Sequence, residues 1–441
     1  MSQFKQAAVR CVVWLITYNL LNATGAYGVT QSPGQVPSGV KLDRQVVRAK
    51  LSGLASSLTI KGTDLALSLV KDPELGLVKA DEWLVDCRHG FVIQPENGRA
   101  RRIPPTGILI ESMSGILSLN EHRFREKLVI YPKEVLAAAA QGRNTTQACL
   151  VVNHLQVENY LESVVNGEFN SQWAEAAVEA QVIAARTYAV YQMQEMRKNK
   201  ASLYDVESTQ KDQVYLGMDR ADFKGSQIVA KTKGIILIDP RSKTPKPIKA
   251  FYHAACGGNT ILPQEVWGNA FAGFSKKVRC PFCVTAPSYH WEYRLSFNEM
   301  EEKLHSALLS DPHLFFYWPK EYTQHFNEWI LMSVKTVATA HASDPRVQDF
   351  VFEFAHQDHF KRRLMTKMNA YQVRNWLDAT KLKSTLFTLS QQGRSVIFEG
   401  KGSGHGVGMC QWGAKKMGEK GYSRENILSF YYPGVKTNRI W

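Results

Sequence analysis

Between Val46 and Pro132 hydrophobic and polar residues alternate in short runs: "VRAKLS", "SLTIKG", "LALSLV", "FVIQ", "GILIES", "GILSLN" and "KLVIYP". A period of two with β-branched residues, broken by Gly, Asn or charged turns, predicts strands. A further strand, "CLVVNHLQV", runs straight into a predicted helix, "ENYLESVV", which Gly167 would end from the C′ position. The next helix is expected to start after Asn170 or Ser171, either of which can cap it, and to reach about Lys198. From Ala180 to Tyr191 it carries one charge, Arg186, and is otherwise apolar on nearly every side. Such a helix is normally covered by neighbours all round.

Further on, "SFNEMEEKLHSALL" and "AYQVRNWLDA" have helical spacing and flank the strand-like runs "WILMSVKTVAT" and "DFVFEFAHQ". Region 291–380 therefore reads as an elaboration of a second lobe that starts near Lys231. No internal repeat is found.

Composition narrows the class. In 441 residues, 44% hydrophobic and 21% charged content suits a folded chain long enough for two or three cores. The net charge of +14 favours a polyanionic partner: nucleic acid, anionic lipid or an acidic cell-wall polymer. No run of five basic residues and no zinc-finger or RNA-recognition signature occurs, so no nucleic-acid partner is expected. At the N-terminus Lys5 and Arg10 precede the apolar "CVVWLITYNLL" and the small-residue run "NATGA". This is the pattern of a secretory signal peptide over 1–26, too short to span a bilayer comfortably; left uncleaved, it would be an anchor. Cleavage near Ala26 would remove two cations and no acid. Cys11 follows Arg10 and not the small residues of a lipoprotein signal. The Gly, Ser and Pro of "GVTQSPGQVPSG" mark 27–45 as a linker. Export to the periplasm or cell envelope follows, with at most a peripheral relation to the membrane.

Several residues carry candidate chemistry. A buried guanidinium at Arg186 needs a carboxylate or carbonyls, and Glu168, just before that helix, is a candidate partner. His253 sits beside a Gly-Gly turn in "KAFYHAACGGNTILPQEVWGN". His405 lies in the glycine-rich "FEGKGSGHGVGMCQWGAKKMGEKG", followed by Gln411, Trp412 and a short amphipathic helix. No Gly-Lys-Ser/Thr and no dinucleotide-binding spacing accompanies those glycines, so they serve sharp turns or close backbone approach. No His-Glu-x-x-His occurs. Past the signal the cysteines are Cys87, Cys149, Cys256, Cys280, Cys283 and Cys410, an even count that allows disulfides. Cys256 with the "CPFC" pair Cys280 and Cys283 could form a disulfide plus a free thiol, a three-thiolate zinc site or a redox pair. The disulfide ranks first, zinc second and cysteine chemistry last, and no metal or cofactor is assigned.

Taken in order, these stretches resemble the sporulation stage II protein D and amidase-enhancer family, whose best-studied members are peptidoglycan lytic transglycosylases. "VENYLESVVNGEF" resembles its Gly-Glu-Met segment, and "AEAAVEAQVIAARTYAV" its Ala-Ala-Arg-Thr-Tyr helix, which contributes Arg186 and Tyr188. "FYHAACGGNT…EVWG" with His253, "CVTAPSYHWEY", "KSTLFTL" and "GKGSGHGVGMCQWGAKKMGEKG" with His405 and Gln411 resemble the remaining motifs. The resemblance assigns the catalytic acid to Glu168 and supporting or substrate-binding roles to Arg186, Tyr188, His253, His405 and Gln411. It implies peptidoglycan glycan strands as partner and, for some members, a cell-wall amidase. The departures are a missing Pro after Gly-Glu, Cys410 where Ser is common, and an unmatched "RNTTQ" segment. Some members hold zinc just before a Gln-Val-Tyr; Glu207, Lys211 and Asp212 occupy that place here, so no zinc is expected there. The expected architecture is α+β and two-lobed. A β-rich domain over 46–150 precedes a helical catalytic segment over 151–230 and a mixed second lobe over 231–441, with a substrate groove between the lobes.

Overall fold

The computed structural model describes residues 45–52, 56–88, 91–132, 135, 149–241, 246–310, 318–338 and 346–441. The signal-peptide segment, nearly all of the linker and "RNTTQ" lie outside the described residues. The fold is α+β, dominated at the N-terminal end by one large sheet. Its strands are β1 (Val46–Lys50), β2 (Ser57–Leu69), β3 (Asp72–Asp86), β4 (Val92–Pro95), β5 (Arg101–Arg102), β6 (Ile108–Leu119), β7 (His122–Pro132), β8 (Cys149–Gln156) and β9 (Val206–Glu207). They run in the order β5-β4-β3-β2-β6-β7-β8-β1-β9. All neighbours are antiparallel except β1 and β9.

The short runs of the sequence are joined into longer, bent strands. "SLTIKG" and "LALSLV" form one strand, β2, whose register with β3 shifts between Lys61 and Leu65. "GILIES" and "GILSLN" likewise form β6, shifted against β7 between Glu111 and Ile116. Asp64 and Gly115 take positive φ at these bulges, at 53° and 70°. The residues that read as turns are irregularities within continuous strands.

Strand β8 passes directly into helix α1 (Val157–Glu168), and α2 (Glu175–Met196) follows. Asn170 and Ser171 do not cap α2, whose N-cap is Ala174. They sit in the intervening turn, where Asn170 accepts from the Gln172 N–H at 2.9 Å and the Ser171 hydroxyl donates to Asp222 at 2.5 Å. Around α2 pack α1, α3 (Phe223–Lys231), β10 (Ile235–Ile238) and, from the end of the chain, α8 (Gln411–Glu419) and α9 (Arg424–Tyr431). This enclosure explains why the helix is apolar on every side.

Two large hydrophobic clusters, with two smaller ones beside them, organise the described residues. One continuous cluster runs from Val47 in β1 through α1 and α2 to Ala255, Cys256, Met409, Ala414 and Tyr432. A second is built only from residues between Trp291 and Phe398. The stretches before 291 and after 400 share the core of the large sheet and α2. The second core sits within β12 (His290–Ser296), α5 (Phe297–Ser310), β13 (Trp329–Ala338), β14 (Val347–His356), β15 (Arg363–Asn369), α7 (Ala370–Asp378), β16 (Phe387–Gln392) and β17 (Ser395–Lys401). The four elements expected within 291–380 are all present. Among the described residues no helix is long and apolar enough to cross a membrane.

One small pairing positions the site. Strand β11 (Tyr252–His253) runs parallel to β18 (Met409–Cys410), matching Tyr252 with Met409 and His253 with Cys410. It brings the His253 segment alongside the glycine-rich loop, at the point where α8 begins.

Candidate functional site

Glu168 is the last residue of α1. Gly167 thus lies inside the final turn and not beyond it, contrary to the C′ expectation. Its role is spatial: a Cβ there would collide with the carbonyl oxygen of Val214. The bare backbone lets the 213–215 segment lie against the helix end, and the Val214 N–H donates to Glu168 Oε1 at 2.5 Å. From the other end of the chain, Gln411 Nε2 donates to the backbone carbonyl of Glu168 at 2.9 Å. The acid is fixed by its side chain to one segment and by its main chain to another.

Electrostatics favour the protonated acid. Burial raises the Glu168 pKa above the ordinary carboxyl value, and the Val214 N–H opposes that rise. Among the described residues no cation pairs with it. Tyr160 and Tyr188 are buried, and the Glu168 charge adds to the burial that pushes their phenols and that of Tyr252 well above the usual range.

Arg186 does not reach Glu168. It is fully buried and forks onto Glu158 in the first turn of α1, with Nε–Oε1 3.1 Å and Nη2–Oε2 2.7 Å. The carbonyls of Ile235 and Val229 and the Thr232 hydroxyl take its remaining donors. Glu158 also accepts from the Gly234 N–H and Trp441 Nε1. The pair ties α1, α2, the α3–β10 turn and the C-terminus together, and it leaves the guanidinium no free face for a ligand.

Tyr188 donates to Asp212 Oδ1 at 2.8 Å, where Gln192 also donates; the Glu207 N–H occupies Oδ2. Lys211 pairs with Glu207 at 2.7 Å. The stretch 207–212 is a hydrogen-bonded hub around Asp212. Beside it Lys249 lies within 5.3 to 5.7 Å of the rings of Tyr188, Tyr191, Phe251 and Phe271. Burial lowers its pKa. Sequence reading did not single out this lysine, because Tyr188 and Tyr191 reach it from a helix some sixty residues earlier in the chain.

The two histidines stand together, with ring centroids 5.5 Å apart. His253 Nδ1 lies 3.0 Å from the Val407 carbonyl, while its Nε2 is buried without a hydrogen-bond partner among the described residues. Burial pushes its pKa down to about 4, so the ring is neutral near neutrality and Nδ1 donates. His405 Nδ1 accepts from the Val407 N–H at 3.0 Å, and its pKa is held well below the usual value, chiefly by burial. No hydrogen bond joins either ring to Glu168 among the described residues.

Next to the acid, Phe169 stacks edge-on against Trp173 at 4.5 Å, and Trp173 meets Trp412 at 5.1 Å. Both tryptophans are half-buried, and Lys415 Nζ lies over both rings. This row was missed as a unit, although Trp173 and Trp412 each stand within five residues of a candidate residue.

The cysteines depart from the expected order. The disulfide joins Cys87 to Cys149, tying the end of β3 to the start of β8. Cys256, Cys280 and Cys283 are unpaired and buried, and Cys410 joins them. The leading expectation of a disulfide among the three is thereby corrected. Their motifs do converge.

Comparison with known proteins agrees with this layout. Residues 145–238, which span α1, α2 and α3, match the family model of stage II sporulation protein. An uncharacterised protein of Brachyspira hyodysenteriae is 28% identical, over 89% of this chain and 93% of its own length. Stage II sporulation protein D of Bacillus amyloliquefaciens is 29% identical over 64% of this chain and 74% of that protein. The amidase enhancer of Bacillus subtilis is 27% identical over 62% of this chain, but the match spans only 40% of the enhancer. The matched segment carries Glu168 with its Val214 contact and the buried Arg186, and these matches support a likeness to the stage II sporulation protein D family.

Proposed function

We propose that this protein acts on the bacterial cell wall as an exported peptidoglycan lytic transglycosylase, with Glu168 as the single acid and base. The observation that carries the reading is the state of Glu168: a desolvated carboxyl with raised pKa, no cationic partner among the described residues and a fixed backbone. Cleavage of the β-1,4 bond after N-acetylmuramic acid needs a proton on the leaving oxygen, and a protonated Glu168 supplies it. The C6 hydroxyl of the same muramoyl residue then bonds to C1 as the C1–O4 bond breaks. Holding that hydroxyl near C1 replaces activation of an outside water. The Glu168 carboxylate takes the C6 proton, which restores the acid and leaves a 1,6-anhydro end. No second carboxylate is required, unlike the usual glycosidase pair. Trp173 and Trp412 offer apolar faces for sugar rings, and the +14 charge suits an anionic polymer. The apolar N-terminal segment supports export.

The relative named amidase enhancer favours a second reading, a glycan-binding activator of a cell-wall amidase. Incubating the purified protein with peptidoglycan and analysing the products by mass spectrometry separates the two. The transglycosylase reading expects anhydro-ended fragments, reduced by about two to four orders of magnitude in Glu168→Gln while glycan binding persists. Undiminished digestion by Glu168→Gln refutes the assignment. Binding without digestion by either form, with stimulation of an amidase, establishes the activator.

A further inference from the structure

Cys256, Cys280, Cys283 and Cys410 come from three separate stretches of chain, yet their sulfurs all lie within 4.8 Å of one another. All four are buried and none is in a disulfide. We propose that these four thiolates hold one zinc ion in a closed structural site behind the candidate catalytic acid.

The geometry fits a mononuclear tetrahedron. With Zn–S of about 2.3 Å, tetrahedral sulfurs stand about 3.8 Å apart; Cys256 and Cys283 Sγ are already 3.5 Å apart. A disulfide needs about 2.05 Å. The sulfurs close on a space for a single ion and leave no room for bridging sulfides. Cys280 and Cys283 have the two-residue spacing of a zinc knuckle.

The surroundings are built for sulfur with negative charge. Cys410 Sγ accepts from the Cys256 N–H at 3.3 Å and the Gly413 N–H at 3.4 Å. Tyr431 Oη lies 3.2 Å from Cys280 Sγ. Such outer donors orient and stabilise metal-bound thiolates. Gly413 keeps the space open, since a Cβ there would stand 2.8 Å from Cys280 Sγ and closer still to Tyr431 Oη.

Four thiolates leave no open coordination position, so the ion ties structure together and takes no substrate. It fastens the segment after His253 and the "CPFC" turn to Cys410, one residue before Gln411, whose amide holds the Glu168 carbonyl. This inference does not depend on the proposed activity, and its test reads metal directly.

Full-length protein is purified under reducing, anaerobic conditions without a metal-affinity tag, and its metal is measured by elemental analysis. About one zinc per chain is expected, released as the four thiols are titrated with an organomercurial. Replacing zinc by cobalt should give intense thiolate-to-cobalt charge transfer and tetrahedral visible bands. Cys410→Ser and Cys256→Ser should drop zinc well below half occupancy, whereas the Cys87→Ser/Cys149→Ser pair should retain it. Metal-free protein without a cobalt spectrum, disulfides among the four in mass spectra of protein so purified, or stoichiometric iron in place of zinc would each overturn the proposal. If the Cys410 and Cys256 variants do not fold, the wild-type metal content and the cobalt spectrum still decide.

Discussion

Gln411 Nε2 stands 2.9 Å from the main-chain oxygen of Glu168, joining residues 243 positions apart. Gln411 opens α8 and is buried, so its amide is held rather than free to turn. It is a positioning residue: it fixes the helix end that carries the acid without touching the carboxyl. Gln411→Ala should leave that carbonyl unsatisfied, at about 1–3 kcal/mol. Expected is a loss of roughly ten-fold in kcat for glycan cleavage, a smaller change in KM and an unshifted pH profile. A variant with wild-type kcat would show that the contact only stabilises.

Gly167→Ala tests the close approach on the other side. The added methyl meets the Val214 carbonyl with backbone on both sides of the contact. Overpacking of this kind costs about 1–3 kcal/mol. Separation of the two segments also removes the Val214 N–H from Glu168. Both the melting temperature and cleavage should fall, and a crystal structure of the variant should show the 2.5 Å contact lengthened. Unchanged stability and rate would mean that Gly167 serves no such spacing.

Local pattern carried much of this architecture, and long-range pairing was where it stopped. The burial of α2 was legible because twelve residues around Arg186 hold a single charge. Its partner was not: Glu158 and Glu168 stand at opposite ends of α1, and it is Glu158, also held by the Gly234 N–H and Trp441, that meets the guanidinium. The β2 and β6 runs were legible as extended, but Gly62 and Gly115 looked like turns because a bulge uses the same residues as a turn. Gly167 was misplaced for a related reason, since its neighbour in space, Val214, lies far along the chain. Cys280 and Cys283 announced themselves by spacing. Cys410 did not, because the β11–β18 pairing that carries it to Cys256 is only two residues long.

Arg186 and Glu158 form a buried fork whose loss should show in stability rather than chemistry. Removing the guanidinium in Arg186→Met strands Glu158 against α2, at about 3–5 kcal/mol. Arg186→Lys keeps the charge but loses the two-pronged geometry and should fall between. The double variant Arg186→Met/Glu158→Gln should recover part of the loss. Thermal melts measure the cost. Cleavage per folded molecule should stay near wild type, since neither group touches Glu168. A rate lost without a lowered melting temperature would contradict the structural role.

Glu168→Gln separates the proton from the fold through pH. The folded pKa of Glu168 is raised above the ordinary 4.5 by burial. Between those two values the folded protein keeps a proton that the unfolded chain has released, so stability falls as pH rises through this window. Above the folded pKa the deficit is complete. Glutamine never ionises, and its amide oxygen can still accept from the Val214 N–H. The variant should therefore melt higher than wild type at neutral pH, and the gap should close as pH falls below 4.5. Wild-type cleavage should decline with rising pH as the acid form is lost, on the same side as the stability gap opens. Melting curves recorded on both sides of that pH check the sign. A Glu168→Gln protein less stable than wild type at neutral pH would mean that the carboxylate is favourably held in its charged form, and the acid would then lack the proton that the chemistry requires.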